Sequence, residues 1–525
     1  MGEAPGVHAL TRTARVTVST LRSRRPSTPV LVIVGVFVVS RVVALVAGVR
    51  YDDGLLHNAY QLLDVRLLHD DPIMSIFYLH SQPPLFNALA AVVVQLPAGA
   101  VRPVLALGWA AAGLATALLM YATMVRLGVR TSLAAGIVCV YLLAPETLLT
   151  ESWFFYSQLQ MLLSALMLYA LARFAASKRT ADGVLFTVSV AALVLLRASF
   201  HPVLMIVIFV IVWRQLRLGG RQLALIAVVP LLVVGAWSVK NVAVFDSWTN
   251  STWAGMNLSY LARAGVTQAR CEQLVADRVV SADACQKAFR PPSAYTARFP
   301  RPKGYGVAAT DRLTKSTGQP NFNASIYIDV AARYQHDAIE LLRRGGLPAI
   351  TRAELAAYTA WAQPGDDSLQ LRTLRRPISG YADWFDRLVL LRPVATGWND
   401  PARFTASAGP FPWGDALGSV SYTLLALFGF AIYGGVAGWR RGRSRLPALQ
   451  CVCTVGLVVL LSSVVVGNAL DYRENNRFRV EAGPLVLVLA AVGIEITVRR
   501  FTSRPRGPGE PTTAPPVPAP SPQPR

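Results

Sequence analysis

Charge is scarce in this chain, and acidic charge scarcest. Only 15% of the 525 residues are charged against 53% hydrophobic, too apolar a balance for an ordinary soluble protein. Signature motifs are missing too. There is no glycine-rich nucleotide fingerprint, and Gly304-Tyr305-Gly306 is too short for a phosphate loop. His57, His69 and His80 lack the HExxH spacing of a zinc site. No internal repeat of the kind carried by transporters appears. No small-residue cleavage pattern follows the first apolar block, which therefore reads as a retained anchor. Cysteines number five. Cys139, Cys451 and Cys453 lie in apolar blocks and read as small packed hydrophobes. Cys271 and Cys285 lie in a long polar segment and are candidates for a disulfide if that segment faces an oxidising space.

What the chain does have is long apolar blocks, such as Pro29 to Gly48, Val101 to Val125 and Leu223 to Val239. Each is close to the roughly 20 residues that a helix needs to cross hydrocarbon, and none carries the polar stripe of a buried soluble helix. About ten spans are expected, at 30–49, 101–125, 131–149, 151–173, 182–198, 200–213, 222–240, 415–438, 447–467 and 482–498. The expected fold class is an all-α polytopic membrane protein with an extracytoplasmic, mainly α-helical domain.

The formal charge of +22 comes from 51 Lys and Arg against 29 Asp and Glu. Its placement excludes nucleic acid as a partner. The arginines cluster in short connectors (Arg12 to Arg25, Arg126 and Arg130, Arg173 to Arg179, Arg214 to Arg221, Arg440 to Arg445, Arg499 to Arg506) without interleaved aromatics. That is the pattern of cytoplasmic loops against anionic lipid. It sets a multi-pass topology in a cytoplasmic membrane, with 50–100, 241–414 and 469–481 outside. The domains then read as a basic cytoplasmic N-terminus (1–29), a transmembrane module with its first outer loop (30–240), an extracytoplasmic domain (241–414), C-terminal spans (415–500) and a disordered Pro-rich tail (501–525). Pro83 to Val101 reads as a juxtamembrane or re-entrant helix rather than a span.

The first outer loop is rich in ionisable groups: Asp52, Asp53, His57, Asp64, Arg66, His69, Asp70, Asp71 and His80. Asp52 and Asp53 stand where the first span ends, a position from which a carboxylate serves as general base or helps to hold a divalent cation. Solvated loop charges are the plain alternative for any one of them. Asp70-Asp71-Pro72 reads as a turn. Arg197 interrupts an apolar run. A charge there costs about 2.5–3.5 kcal/mol on insertion scales, so it either lines a cavity with a partner or snorkels to the interface. Trp237, Trp248, Trp253, Trp384 and Trp413 suit membrane interfaces.

Several segments, taken in order, carry a resemblance. They are Asp52-Asp53, then Tyr78-Leu79-His80-Ser81-Gln82-Pro83-Pro84-Leu85-Phe86-Asn87, Pro145-Glu146-Thr147 with Glu151 to Tyr156, and Arg197 to His201. Lys240-Asn241 with Gly255 to Leu258, Asn321-Phe322-Asn323 with Tyr334 to Ala338, and Glu474 to Arg479 follow. Together they resemble the GT-C superfamily of membrane glycosyltransferases, near the protein O-mannosyltransferases and lipid A aminoarabinose transferases, in a family 39-like bacterial branch. Two positions depart from the better-known members: Asp52-Asp53 replaces Asp-Glu, and Gln82 replaces a basic residue before Pro83-Pro84.

The resemblance implies an inverting transfer of sugar from a polyprenyl-phosphate donor to an extracytoplasmic acceptor hydroxyl on a glycan, lipid or protein. In that reading Asp53 is the base, Asp52 the next candidate and Asp64 the third. His80, Gln82, Glu151, Tyr156, Arg197, His201, Lys240 and Arg477 bind substrate, the cations gathering round the carrier's phosphate. No cofactor is assigned, a divalent cation being the one candidate. The alternatives are a transporter or flippase of a lipid-linked sugar and a non-catalytic membrane scaffold.

Overall fold

A computed structural model describes residues 27–299, 303–367, 371–392, 420–470, 472 and 475–502. The basic stretch at 12–25, Trp413, Glu474 and the Pro-rich tail lie outside the described residues.

The first apolar block forms α1 (Thr28–Ala47). Four short helices follow in the first outer loop: α2 (Leu55–Asn58), α3 (Val65–Asp70), α4 (Pro72–Phe77) and α5 (Pro84–Val93). Next come α6 (Ala98–Arg126), α7 (Thr131–Leu143), α8 (Pro145–Glu151), α9 (Tyr156–Ser177), α10 (Thr180–Leu196), α11 (Pro202–Leu216) and α12 (Gly220–Phe245). The polar segment holds α13 (Ala254–Gly265), α14 (Gln268–Ala276), α15 (Ile326–Trp361, broken at Gly346) and α16 (Ser379–Leu388). The chain re-enters the bundle as α17 (Tyr422–Arg445) and α18 (Pro447–Leu470), and ends with α19 (Asn475–Glu481) and α20 (Gly483–Thr502). Among the described residues there is no strand, only two isolated bridges, Asp52–Trp153 and Thr314–Pro320.

The all-α polytopic class holds. Among the described residues six helices are long and apolar enough to cross a membrane, and eight if each bent pair, α7 with α8 and α19 with α20, is one span. The other two expected spans are shorter, α10 with 17 residues and α11 with 15. Two expected boundaries shift. The block expected at 151–173 starts at Tyr156, because the chain is extended at Phe155 (φ −153°, ψ 159°). The last span is preceded by α19, bent 61° from it. The segment after Pro83 is a helix of 10 residues, about 15 Å long and too short to cross.

Local chemistry sets the helix ends. Proline occupies the first turn of α4, α5, α8 and α11, where its missing N–H costs nothing. Asp64 caps α3 and Asp71 caps α4 by accepting backbone N–H bonds, so the Asp71-Pro72 turn opens a helix. Gly48, at φ 109°, ends α1 in the left-handed region and turns the chain toward Asp52.

Apolar side chains of α1 such as Val39, Val43 and Val46 stay exposed, as a lipid-facing stripe does, while Ile33 and Phe37 join the main core. Because the helices follow one another as hairpins, the loops at 48–100, 144–155 and 197–201, the polar segment and α19 all gather at one end of the bundle. Arg130, Glu495 and Arg499 pair at the other end. Cys271 and Cys285 form a disulfide, closing a 14-residue separation at the end of α14.

Helices α17 and α20 approach so closely that a Cβ on Gly434 would strike the carbonyl oxygen of Leu489, the contact that small residues permit between membrane helices. Gly434→Ala should therefore cost about 1–3 kcal/mol. Gly429→Ala on the same helix, with open space at its Cβ, should be neutral. Thermal midpoints of the two variants in detergent check this, and equal midpoints would contradict the close packing.

Candidate active site

The two acidic residues after the first span are fixed by backbone. Asp52 is extended and lies parallel to Trp153: its N–H donates to the Ser152 carbonyl at 2.8 Å, and the Phe154 N–H donates to its own carbonyl at 2.9 Å. The break between α8 and α9 thus supplies the seat. The side chains diverge, as adjacent residues on extended chain must. Asp52 Oδ1 accepts from the Gly54 N–H at 2.9 Å. Asp53 Oδ1 accepts from Nε and Nη2 of Arg102, at 2.9 and 2.8 Å. Arg102 heads α6 and is largely exposed, while the Asp53 side chain is mostly covered. Beside them the Tyr51 phenol is raised above its usual pKa by burial first, and then by Asp53 and Asp52.

The seat continues into an aromatic step. Phe86 of α5 lies 5.2 Å from Phe154 and 5.6 Å from Tyr156, centroid to centroid, and Phe155 stacks 4.1 Å from Tyr156. Behind it is a buried ionic cluster. Arg477 Nη1 donates to the Tyr156 hydroxyl at 2.9 Å and to Glu481 Oε1 at 3.2 Å. Arg197 pairs with Glu481 Oε2 and donates to Gln160 Oε1 at 3.1 Å. Ser157 Oγ donates to Glu481 Oε1 at 2.6 Å. Both guanidiniums share the Glu481 carboxylate. Their faces are covered: Arg197 lies 4.1 Å from the Phe478 ring and Arg477 4.8 Å from the Phe155 ring.

The remaining expected residues divide. Glu151 is buried and takes a bidentate bond from Arg41 of α1, at 2.9 and 2.5 Å. Lys240 Nζ donates to the Leu79 carbonyl at 2.8 Å and lies 3.6 Å over the Trp237 ring. His80 is buried between Thr252 Oγ1 and the Asn323 carbonyl, each 2.9 Å away. Burial pushes its pKa down to about 3, with the Asn323 bond opposing. Gln82 is half-buried before the Pro83-Pro84 pair. Asp64 is engaged by the Arg66 N–H and by Ser316, whose N–H and Oγ lie 2.6 and 2.5 Å from its carboxylate. His201 is exposed and caps α11. The structure therefore gathers Asp52, Asp53, Tyr156, Arg197 and Arg477 along one seat, places His80 and Lys240 around Leu79, and leaves Asp64 and His201 apart.

Sequence reasoning missed Glu481, Arg102, Arg41 and Arg479. Arg479 binds Glu146 next to Gly365. The available signal was an ionisable residue beside an apolar block, which demands a partner. Among the described residues no three His, Cys, Asp or Glu side chains converge as metal ligands would. Oδ1 of Asp52 and Oδ1 of Asp53 turn to different partners. A cavity of about 440 Å³ opens between α7, α17 and α20, walled by Val140, Leu427, Val486 and Leu487, with Glu146 and Arg479 on its polar side.

No family model matches the chain, and no curated protein matches it. Among solved structures, the archaeal oligosaccharyltransferase AglB from Archaeoglobus fulgidus, in complex with an inhibitory peptide and a dolichol-phosphate, is similar at 12% identity and a TM-score of 0.39. A second structure of the Archaeoglobus fulgidus oligosaccharyltransferase, tethered to an acceptor peptide containing the NVT sequon, is similar at 12% identity and a TM-score of 0.35. Each similarity covers 89% of this chain and 50% of the other, so the chain spans about half the length of the structures it matches.

Two stability outcomes follow from the geometry. Glu481→Gln removes a charge that two buried guanidiniums share and should cost about 3 kcal/mol, whereas Asp53→Asn, whose partner is exposed, should leave the thermal midpoint where it was. Equal losses would mean that Asp53 is held for structure. Separately, His80 stays neutral in the fold while the unfolded chain takes up a proton below its ordinary pKa of 6.5. Its contribution is complete above that pH and falls toward about 3, by at most ~1.4 kcal/mol per pH unit. Midpoints measured from pH 7 to pH 5 should slope less in His80→Gln than in the wild type.

Proposed function

We propose that this protein is an inverting glycosyltransferase that moves a sugar from a polyprenyl-phosphate donor to an acceptor hydroxyl at the outer end of the bundle. One observation carries the reading. The backbone that seats Asp52 and Asp53 runs within four residues, Trp153 to Tyr156, into a cluster that holds two buried guanidiniums, Arg197 and Arg477.

Both bonds from Arg102 fall on Oδ1 of Asp53, which leaves Oδ2 to face an acceptor hydroxyl. In the transfer that oxygen takes the hydroxyl proton as the acceptor oxygen forms its bond to the anomeric carbon. On the far side of that carbon the bond to the phosphate oxygen breaks, and the phosphate leaves with the electron pair. Attack and departure on opposite faces invert the sugar carbon. The guanidiniums of Arg197 and Arg477 stabilise the departing phosphate more than the bound donor, because charge on the leaving oxygen grows along the path. Glu481 keeps both guanidiniums oriented before substrate arrives. A lipid-borne substrate suits the apolar cavity between α7, α17 and α20, which has the size range of ligand pockets. The outer placement of the site is supported by the arginine-rich loops at the opposite end and by the Cys271–Cys285 disulfide on the site's side.

The test is release of polyprenyl phosphate from a panel of labelled polyprenyl-phosphate sugars by the protein in liposomes, with cell-envelope extract as acceptor source. Asp53→Asn should lower release by about 10²- to 10⁴-fold while carrier binding persists. Carrier movement across the bilayer without cleavage, or wild-type turnover retained in Asp53→Asn, would overturn the proposal.

A further inference from the structure

The first outer loop is poorly equipped to hold its own shape. From Asp53 to Ser81 it contains three helices of four to six residues, each too short to be stable by itself. Its rigidity comes from a part of the chain more than 200 residues away, in the polar segment between α12 and α17.

There the chain makes a tight hairpin. The Asn321 N–H donates to the Leu313 carbonyl at 2.9 Å, the Lys315 N–H to the Gln319 carbonyl at 2.8 Å, and Gly318, at φ 80°, supplies the left-handed turn. The tip reaches into the loop. Lys315 is 5% exposed, and its ammonium donates to the carbonyls of Ala59 and Leu62 at 2.8 and 2.7 Å. Ser316 binds Asp64 through both its N–H and its hydroxyl, and Thr317 Oγ1 donates to the His57 carbonyl at 3.3 Å. Two loop carbonyls that no helix satisfies thus close round a buried cation, with the Asp64 carboxylate nearby to offset its desolvation.

The base of the hairpin grips the other end of the loop. Asn323 Oδ1 accepts from the N–H groups of His80 and Ser81, at 2.9 and 3.1 Å, and its Nδ2 donates to the Tyr78 carbonyl at 3.1 Å. Its own carbonyl meets His80 Nε2 at 2.9 Å. The Asp53 carbonyl accepts the N–H of Leu56, the second residue of α2, at 2.9 Å, and the tip's contacts begin at His57, just one residue further on.

We infer that the hairpin at 313–323 is the positioning device for Asp53, with Lys315 and Asn323 as its positioning residues. The hairpin clamps the loop from Asp53 to Ser81 at both ends, and so sets the carboxylate against the aromatic step and the arginine cluster. The catalytic half of this inference rests on the transferase reading above; the clamp itself does not.

Hydrogen exchange on the full-length protein in nanodiscs separates the two. In Lys315→Met the amides of 54–64 should exchange about tenfold faster or more, as a locally released unit does. In Asn323→Leu the same should hold at 78–82. Ser316→Ala, which keeps the backbone bond to Asp64, should give a smaller change of the same kind. Ser281→Ala serves as control, because it removes a bond to Asp337 in the same polar segment away from the loop. Turnover with the labelled donors should fall by about 10- to 100-fold in Lys315→Met with donor KM little changed, the signature of a misplaced catalytic group. It should hold in the Ser281→Ala control. Unchanged exchange at 54–64 and 78–82 would overturn the clamp. Faster exchange with wild-type turnover would overturn positioning. If the wild type transfers nothing, the transferase reading and the positioning of a catalytic Asp53 fall together, and the exchange rates alone decide the clamp.

Discussion

Charge inside a membrane bundle must find opposite charge or water, and this constraint organises the outer-loop end of the molecule. Arg41 of the first span, costly in hydrocarbon by itself, is paired with Glu151 at the end of α8 in the bent α7–α8 pair. Glu481 holds Arg197 and Arg477, and Glu146 holds Arg479. Apart from Arg477 and Glu481, which share α19, each pair ties together distant parts of the sequence, so these pairs serve as the bundle's registry marks as well as its compensation. The short helix α19 separates two of them: Arg477 and Glu481 lie on one face toward Tyr156, while Arg479 faces Glu146 and the apolar cavity.

In the central cluster one carboxylate, Glu481, keeps two buried guanidiniums oriented before any substrate arrives. The carboxylates of Asp52 and Asp53 stand on the near side of the aromatic step, in a partly exposed place.

The polar segment is more than a lid. Its hairpin inserts a lysine into the carbonyls of the first outer loop, and its Asn323 uses both side-chain groups and its backbone carbonyl on the turn at Tyr78 to Ser81. This explains why His80, placed by sequence among substrate-binding residues, is buried and neutral: it is part of the joint between two parts of the chain. Asp64, third in line as a base, is part of the same joint through Ser316.

Hydrophobic run length and arginine placement, both local properties, were enough to determine an all-α membrane bundle, its hairpins and the polar segment between α12 and α17. The order of short motifs drew attention to Asp52-Asp53, Arg197 and Arg477, because an ionisable residue at the edge of an apolar block is visible without knowing its neighbours. Cys271 and Cys285 were legible as a candidate pair for the same reason. Partners were not legible. Tyr156 and Arg477 are 321 residues apart, Ser157 and Glu481 324, and His80 and Asn323 243. Nothing in a linear pattern states which charge neutralises which. Asn323 stood inside a noticed motif, yet its task became visible only when the fold laid it against the loop. Sequence by itself determined where the long apolar runs lie and where charge is costly. Tertiary structure alone decided which carboxylate meets which guanidinium, because pairing depends on distances that only the packed helices set.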